Sequence, residues 1–184
     1  DAEGDAGRRD FTVNAMFYDP EEERVLDYVN GREDLERRLI RAVGEPRKRF
    51  AEDKLRMIRA VRFAAKLGFE IDPATFEALR DMSGKIHEVS PERVRDELLK
   101  MLCGTAPRRA MELLDASGLL KAVLPELSAT KGVAQPPEFH PEGDVWVHTL
   151  LLLDQLHRPA PELALAGLLH DVGKPPTFEV AGRI

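Results

Sequence analysis

A single cysteine, Cys103, leaves this chain without a partner for an internal disulfide and fits a reducing compartment such as the cytoplasm. It sits among Met101, Leu102 and Gly104 at an expected helix end, where a buried structural thiol is the simplest reading. No apolar run approaches the roughly 20 residues needed to span a bilayer. The longest candidate, Val145 to Leu153, is interrupted by His148 and Thr149. No signal peptide, internal repeat or low-complexity tract is visible. What remains is the composition of an ordinary soluble protein, 43% hydrophobic and 33% charged, with 184 residues able to build one good core or two small ones.

The net charge of −6 argues weakly against a nucleic-acid partner, but it is unevenly spread. Between Arg37 and Lys66 stand eleven basic residues against three acids, Glu45, Glu52 and Asp53. The acidic clusters lie elsewhere, in the first dozen residues and at Glu21 to Glu23. Local fields govern phosphate binding more than whole-chain charge does.

The pattern predicts a mainly α protein with a small β element. Residues 1–8 read as loop. Phe11 to Tyr18 reads as a strand ended by Asp19-Pro20, and Arg24 to Val29 as its hairpin partner. Helical periodicity follows: a short helix over 33–39, a brief extended piece over 39–43, and one helix from Arg47 to Leu67 stopped by Gly68. Asp72-Pro73 opens a helix to about Met82, and Ser90-Pro91 one to about Leu102. Ala106-Pro107 opens another, which ends at Gly118. Leu119 to Leu124 reads as a short apolar turn. Proline and glycine mark 128–143 as a linker. Two helices then follow, from about Asp144 to His157 and from Glu162 to about Val172, with an extended end over 177–184.

Glu52-Asp53-Lys54-Leu55-Arg56-Met57-Ile58-Arg59-Ala60-Val61-Arg62-Phe63 is the densest signal. Arginines spaced by three drift about 60° per step around a helix, so Arg56, Arg59 and Arg62 form a slanting stripe. Leu55, Ile58, Val61 and Ala65 form an apolar stripe on another face. Guanidinium forks suit phosphates and the acceptor edges of bases. On spacing alone a solvated helix with local pairs such as Asp53 to Arg56 explains the stretch equally well.

Two further blocks precede it: Arg8-Arg9-Asp10-Phe11-Thr12-Val13-Asn14-Ala15, then Asp27-Tyr28 with Gly31, Asp34 and Leu35. In this order and spacing the three resemble the bacterial tRNA nucleotidyltransferase and poly(A) polymerase family, from about residue 5 to the C-terminus. The resemblance implies that Arg9, Asp10 and Asn14 meet the sugar and phosphates of an incoming ATP or CTP. It implies that Asp53 and Arg56 read the base, and that Arg59 and Arg62 face phosphates or a bound RNA 3′ end. A carboxylate accepts from the exocyclic amine that adenine and cytosine share, which uracil and guanine lack in the same place. Glu52 is expected to orient an arginine. The helix opened by Ser90-Pro91, with Arg93 and Arg95 pairing Asp96 or Glu97, resembles the family's next motif and reads as a structural brace.

Family members also begin with a Gly-Ser loop and an Asp-x-Asp pair that hold Mg2+ for transfer. There is no Gly-Ser pair here, no Asp-x-Asp ahead of Arg8, and residue 1 is Asp. The chain is therefore expected to be an internal fragment, inactive alone, of a protein adding CMP or AMP to RNA 3′ ends, tRNA among them. Its expected parts are the second half of a head (1–67), a helical neck (68–127), a linker (128–143) and the start of an HD domain (144–184).

That last part rests on His148 and the adjacent His170-Asp171, followed by Gly173-Lys174, which resemble the HD phosphohydrolase superfamily. Imidazole and carboxylate suit divalent metals. The expectation is that His148, His170 and Asp171 converge as a partial metal site. The alternative function is an HD-type phosphohydrolase whose arginine helix binds substrate phosphate.

Overall fold

The apolar stripe Leu55, Ile58, Val61 and Ala65 decides the architecture, because the helix that carries it becomes the hub of the molecule. The computed structural model describes residues 1–135, 138, 141 and 143–177. In chain order it contains α1 (Ala2–Ala6), a 3-10 turn (Thr12–Asn14), β1 (Phe17–Asp19), β2 (Arg24–Leu26), α2 (Gly31–Glu36), β3 (Leu39–Ile40), α3 (Pro46–Glu52) and α4 (Leu55–Leu67). There follow β4 (Glu70–Ile71), α5 (Pro73–Met82), a 3-10 turn (Ser83–Glu88), α6 (Pro91–Leu102), α7 (Pro107–Ala116), α8 (Leu119–Val123) and α9 (Pro125–Ser128). The described chain closes with α10 (Val145–Gln155), α11 (Pro161–Leu169) and α12 (Lys174–Thr177).

Helix α4 buries Met57, Ala60 and Ala64 as well as the four stripe residues, so neighbours cover it on most sides. α3, α6 and α7 pack on it, as do β3 and β4. Small residues at Ala60 and Ala64 let those neighbours come close. One contiguous apolar cluster runs from Phe11, Ile40 and Phe50 through α4 to Leu150 and Leu168. The prolines act as read from the sequence. Asp72 caps α5 by accepting from the Thr75 amide at 3.1 Å, and Pro73, Pro91 and Pro107 each stand at a helix start.

The hairpin forms with Tyr18 opposite Val25, both exposed, and Phe17 opposite Leu26, both half-buried. Several local expectations give way. Residues 2–6 are helical, capped by Asp1 on the Gly4 amide at 2.7 Å. Phe11 to Tyr18 is not one strand. Asn14 and Asp10 side chains bond the Phe11 amide, both at 3.2 Å, and wind 12–14 into a 3-10 turn before the strand starts at Phe17. A second, parallel ladder pairs Leu39 with Glu70 and Ile40 with Ile71. Residues 119–123 are helical rather than a simple turn.

The predicted single helix over 47–67 is broken at Asp53. Its backbone is extended (φ −146°, ψ 107°), and its carboxylate accepts from the Leu55 amide at 3.1 Å. An aspartate that captures the next turn's amide ends one helix and caps another. Thr177 lies in α12, and the rest of the expected extended end, 178–184, falls outside the described residues. No helix among the described residues is long and apolar enough to cross a membrane.

Candidate nucleotide cleft and a histidine–aspartate cluster

Asp10 is the anchor of the first site. It is buried beneath the surface, with Oδ1 accepting from Asn14 Nδ2 at 2.7 Å and Oδ2 accepting from Arg59 Nε at 2.6 Å. The first contact holds the 3-10 turn; the second ties it to α4, 49 residues away. The D-Y-x-x-G-x-x-D-L block supports this turn from behind. Asp27 accepts from the Val29, Gly31 and Arg32 amides at 3.1, 2.9 and 2.9 Å, which starts α2. Burial pushes the Asp27 carboxyl up, but these amides prevail and hold it below the usual range. Gly31 must be glycine, because a β-carbon there would run into the Thr12 carbonyl and approach Met16 Cγ to 2.9 Å. Asp34 then accepts from Thr12 Oγ1 at 2.7 Å and pairs with Arg41 at 3.0 Å.

Above this base lies an open cleft of about 260 Å³, lined by Arg9, Asp10, Asn14, Asp53, Leu55, Arg56, Arg59 and Arg93. A larger groove between α6, α8 and α11 is almost wholly apolar; charge, not size, distinguishes the cleft. Arg9 pairs with Asp5 at 2.7 Å and lies over the Phe17 ring. Arg56 donates to Glu52 at 2.7 Å and to the Arg49 and Arg8 carbonyls at 3.0 and 3.2 Å. It thereby fixes the entry of the Arg8-Arg9 segment, and Glu52 orients it as expected. The Arg56 hydrogen bond holds the Glu52 carboxyl below the ordinary range.

Asp53 and Arg56 share the cleft but do not pair with one another. Asp53 Oδ2 accepts from Arg93 Nη2 at 2.8 Å. Partial burial pushes the Asp53 carboxyl up; the Arg93 hydrogen bond and the Leu55 amide outweigh it and keep the group ionised. Arg93 is the cleft residue that sequence reasoning missed. The usual i, i+4 rule paired it with Glu97, yet Glu97 is taken by Arg62 at 2.5 Å and Lys100 at 2.8 Å. Arg95 takes Asp96 at 2.7 Å, so the expected local pairing holds only there. Six of the seven expected nucleotide-binding residues thus line one cleft. Arg62 does not; it turns to Glu97 and lies over the Phe63 ring, 4.2 Å from its centre.

Four guanidinium groups around one opening offer forked donors suited to a polyphosphate, each steadied by one carboxylate: Arg9 by Asp5, Arg56 by Glu52, Arg59 by Asp10 and Arg93 by Asp53. The acceptors, Asp10 and Asp53, sit where a sugar hydroxyl and an exocyclic amine could each find one.

The second constellation also converges. Ligand atoms of His148, His170 and Asp171 lie within 4.8 Å of one another, and the two imidazole centres are 5.4 Å apart. Gly167 permits this by letting α11 close on α10; a β-carbon there would meet Leu152 Cδ2 at 2.8 Å. His170 Nδ1 sits 2.9 Å from the Gly167 carbonyl, which can only accept, so Nδ1 carries the proton. Nε2 faces Asp171 Oδ2 at 3.3 Å. Two imidazoles and a carboxylate with one tautomer fixed by a carbonyl fit a divalent ion. Lys174 Nζ, 2.7 Å from the same Oδ2, already supplies part of the charge an ion would bring.

The family described as "Poly A polymerase head domain" matches residues 1–41, and "Probable RNA and SrmB-binding site of polymerase A" matches 68–131. The "Multifunctional CCA protein" of Xanthomonas campestris pv. campestris (strain B100) is 43% identical over 180 residues, covering 94% of this chain and 43% of that protein. The Methylococcus capsulatus protein of the same name is 43% identical over 179 residues, 94% of this chain and 41% of its own length. A crystal structure of the Bacillus stearothermophilus CCA-adding enzyme in complex with CTP superposes with a TM-score of 0.72 at 37% identity, over 94% of this chain and 40% of that one. The Thermotoga maritima CCA-adding enzyme complexed with tRNA, at 22% identity and TM-score 0.63 over 92% of this chain and 44% of that one, shares the fold.

The fold matches the head and neck regions of a CCA-adding enzyme. Over 94% of its length the chain is similar to these CCA proteins and to a CCA-adding enzyme. It spans about two fifths of the length of the curated relatives it matches.

Proposed function

We propose that this chain supplies the nucleotide-selecting half of an enzyme that adds CMP and AMP, from CTP and ATP, to the 3′ end of tRNA. The observation that carries this reading is the single cleft shared by Arg9, Asp10 and Asn14 from one end of the sequence and Asp53 and Arg56 from α4's start. Its CTP-bound relative from Bacillus stearothermophilus, 37% identical, supports a nucleotide as the occupant. Arg9 and Arg59 hold phosphate oxygens, and Asp10, steadied by Asn14, accepts from the ribose. Asp53 accepts from the exocyclic amine while Arg56 donates to the neighbouring ring acceptor. Arg93 keeps the Asp53 carboxylate ionised and aimed.

The transfer step needs a divalent metal, Mg2+ by preference, held by carboxylates of an Asp-x-Asp pair. No Asp-x-Asp pair occurs among residues 1–184, so none of them is assigned this role. The division into head (1–67), neck (68–127), linker (128–143) and the beginning of an HD domain (144–184) is part of the same proposal.

The test is nucleotide addition by the full-length protein to tRNA lacking its terminal CCA. Asp53→Ala and Arg56→Ala should each slow CMP and AMP incorporation about 10- to 150-fold, the loss of a charge-assisted hydrogen bond of roughly 1.5–3 kcal/mol. Unchanged rates with intact preference over UTP in both variants would sink the assignment.

The histidine–aspartate cluster supports a second, separate proposal: a divalent ion held by His148, His170 and Asp171. A phosphohydrolase as the whole function is set aside, because the matching relatives are CCA proteins. Calorimetric titration with Mn2+ or Ni2+ checks the site, with His170→Ala expected to abolish the binding heat.

A further inference from the structure

We propose that Lys174 is a built-in cation of the histidine–aspartate cluster. Its ammonium holds part of the charge that a divalent ion brings, gives up Asp171 when the ion binds, and thereby frees Gln135 and the segment around it. This rests on the divalent-ion reading of His148, His170 and Asp171 above.

The cluster calls for a cation. With Nδ1 protonated against the Gly167 carbonyl, the neutral His170 ring presents a lone pair at Nε2. That lone pair faces Asp171 Oδ2 at 3.3 Å, acceptor against acceptor. Two such atoms at this separation can share one ion about 2.1 Å from each, with an angle of about 100° between the bonds. His148, its ring centre 5.4 Å from that of His170, completes the set.

Lys174 is already placed to answer that call. The Asp171 carbonyl accepts from the Lys174 amide at 3.0 Å, and this turn brings the side chain back over Asp171, with Nζ 2.7 Å from Oδ2. A second anchor is remote in sequence: Gln135 Oε1, 2.6 Å from the same Nζ. An ammonium can only donate, so the amide must turn its oxygen to Lys174. Its nitrogen is then buried without a hydrogen-bond partner. The fold leaves a donor orphaned to keep this contact, against the usual pairing of buried polar groups.

Ion and ammonium cannot both keep Oδ2. Nζ at 2.7 Å and an ion at about 2.1 Å from one oxygen stand less than about 5 Å apart. The Asp171 side chain is only 12% exposed, so solvent and salt screen that repulsion poorly. The ammonium is the partner that can leave, because the Lys174 side chain is 33% exposed and its flexible stem reaches water. Gln135 then stays buried with its amide unpaired at both ends. Its segment is tied to the start of α10, the helix that carries His148: the Gly132 amide donates to Asp144 Oδ2 at 2.6 Å, and the Val145 amide to the Val133 carbonyl at 3.1 Å. Ion binding is thereby coupled to loosening of 131–135.

The test uses this chain and three variants. Lys174→Met and Lys174→Gln remove the charge; Gln135→Met removes one anchor and leaves Asp171 untouched. Mn2+ binding is measured by calorimetry at fixed pH, and amide hydrogen exchange of 131–135 with and without Mn2+. Both Lys174 variants should bind Mn2+ about 10- to 150-fold more tightly than wild type, since one charge-assisted hydrogen bond no longer opposes the ion. Gln135→Met should tighten binding by a smaller factor. Exchange at 131–135 should rise when Mn2+ is added to the wild type. In the Lys174 variants it should be raised already and indifferent to Mn2+.

Equal or weaker Mn2+ binding by the folded Lys174 variants would overturn the proposal and leave the metal reading intact, making Lys174 a support of the site. Tightening by Lys174→Met alone would also overturn it, as an effect of packing. Wild-type exchange unmoved by Mn2+ would overturn the coupling to Gln135. If both Lys174 variants unfold, Gln135→Met decides, and unchanged affinity there overturns the proposal. Absence of Mn2+ binding by the wild type and every variant would remove the metal reading and this proposal with it.

Discussion

The nucleotide cleft and the histidine–aspartate cluster are both polar sites on one core, but they are held in opposite ways. The cleft depends on partners far apart in sequence: Arg59 with Asp10 (49 residues), Arg93 with Asp53 (40) and, beside it, Arg62 with Glu97 (35). The cluster is stitched mostly by neighbours, His170 to Gly167 and Lys174 to Asp171, three residues apart in each case, with Gln135 bonded to Lys174 as a remote tie. Long-range pairs form only when the whole fold forms, so the cleft reports on global integrity. The cluster reports on one helix junction.

The largest expected effect breaks the cleft side. Glu97→Ala removes the acceptor for a largely buried Arg62 and should cost about 3–5 kcal/mol of stability. Denaturant unfolding measures this, and hydrogen exchange should rise across α4 and α6 together. A loss below about 1 kcal/mol would show that Arg62 finds water or another acceptor, and that the long-range pairs contribute little to stability.

Next in size is the junction. Gly167→Val puts a branched side chain against Leu152 and Leu156 and should cost about 1–3 kcal/mol. Metal-induced heat should vanish with CTP binding preserved. If both sites fail together, the contrast between them is wrong.

The smallest effect on stability sharpens the comparison. Arg93→Gln removes a half-exposed ion pair worth about 0.2–1 kcal/mol, yet it should weaken CTP binding by freeing the Asp53 carboxylate. The pH dependence follows from Asp53's depressed carboxyl. A group held below its unfolded value stabilises the fold above that value, about 3.9 for aspartate, and loses the contribution as pH falls through the folded one. The stability gap between wild type and variant should therefore be full near neutral pH and close below about pH 4. A gap that persists in acid would assign the Arg93 effect to packing.

Much of this was legible in the chain. The prolines of Asp72-Pro73, Ser90-Pro91 and Ala106-Pro107 placed the starts of α5, α6 and α7, and Leu55, Ile58, Val61 and Ala65 are buried as their spacing requires. Six cleft residues could be named from three blocks in register. What escaped was set by distant partners. Asp53 looked like a helical residue because nothing local showed its carboxylate turning to the Leu55 amide and Arg93. Arg93 looked like a partner of Glu97 because the competing Arg62 lies 35 residues away. The parallel pairing of β3 with β4 joins two-residue segments too short to show a period.

The close approach at Gly31 has a consequence at the level of the gene. Any base change in the first two positions of a glycine codon gives a stop or a residue with a β-carbon. Each such β-carbon would collide with the Thr12 carbonyl under the nucleotide cleft. That codon tolerates only its synonymous third-position neighbours: every amino-acid replacement at Gly31 should be lost from a saturation mutagenesis screen for nucleotide addition, although the residue lies behind the cleft rather than in it.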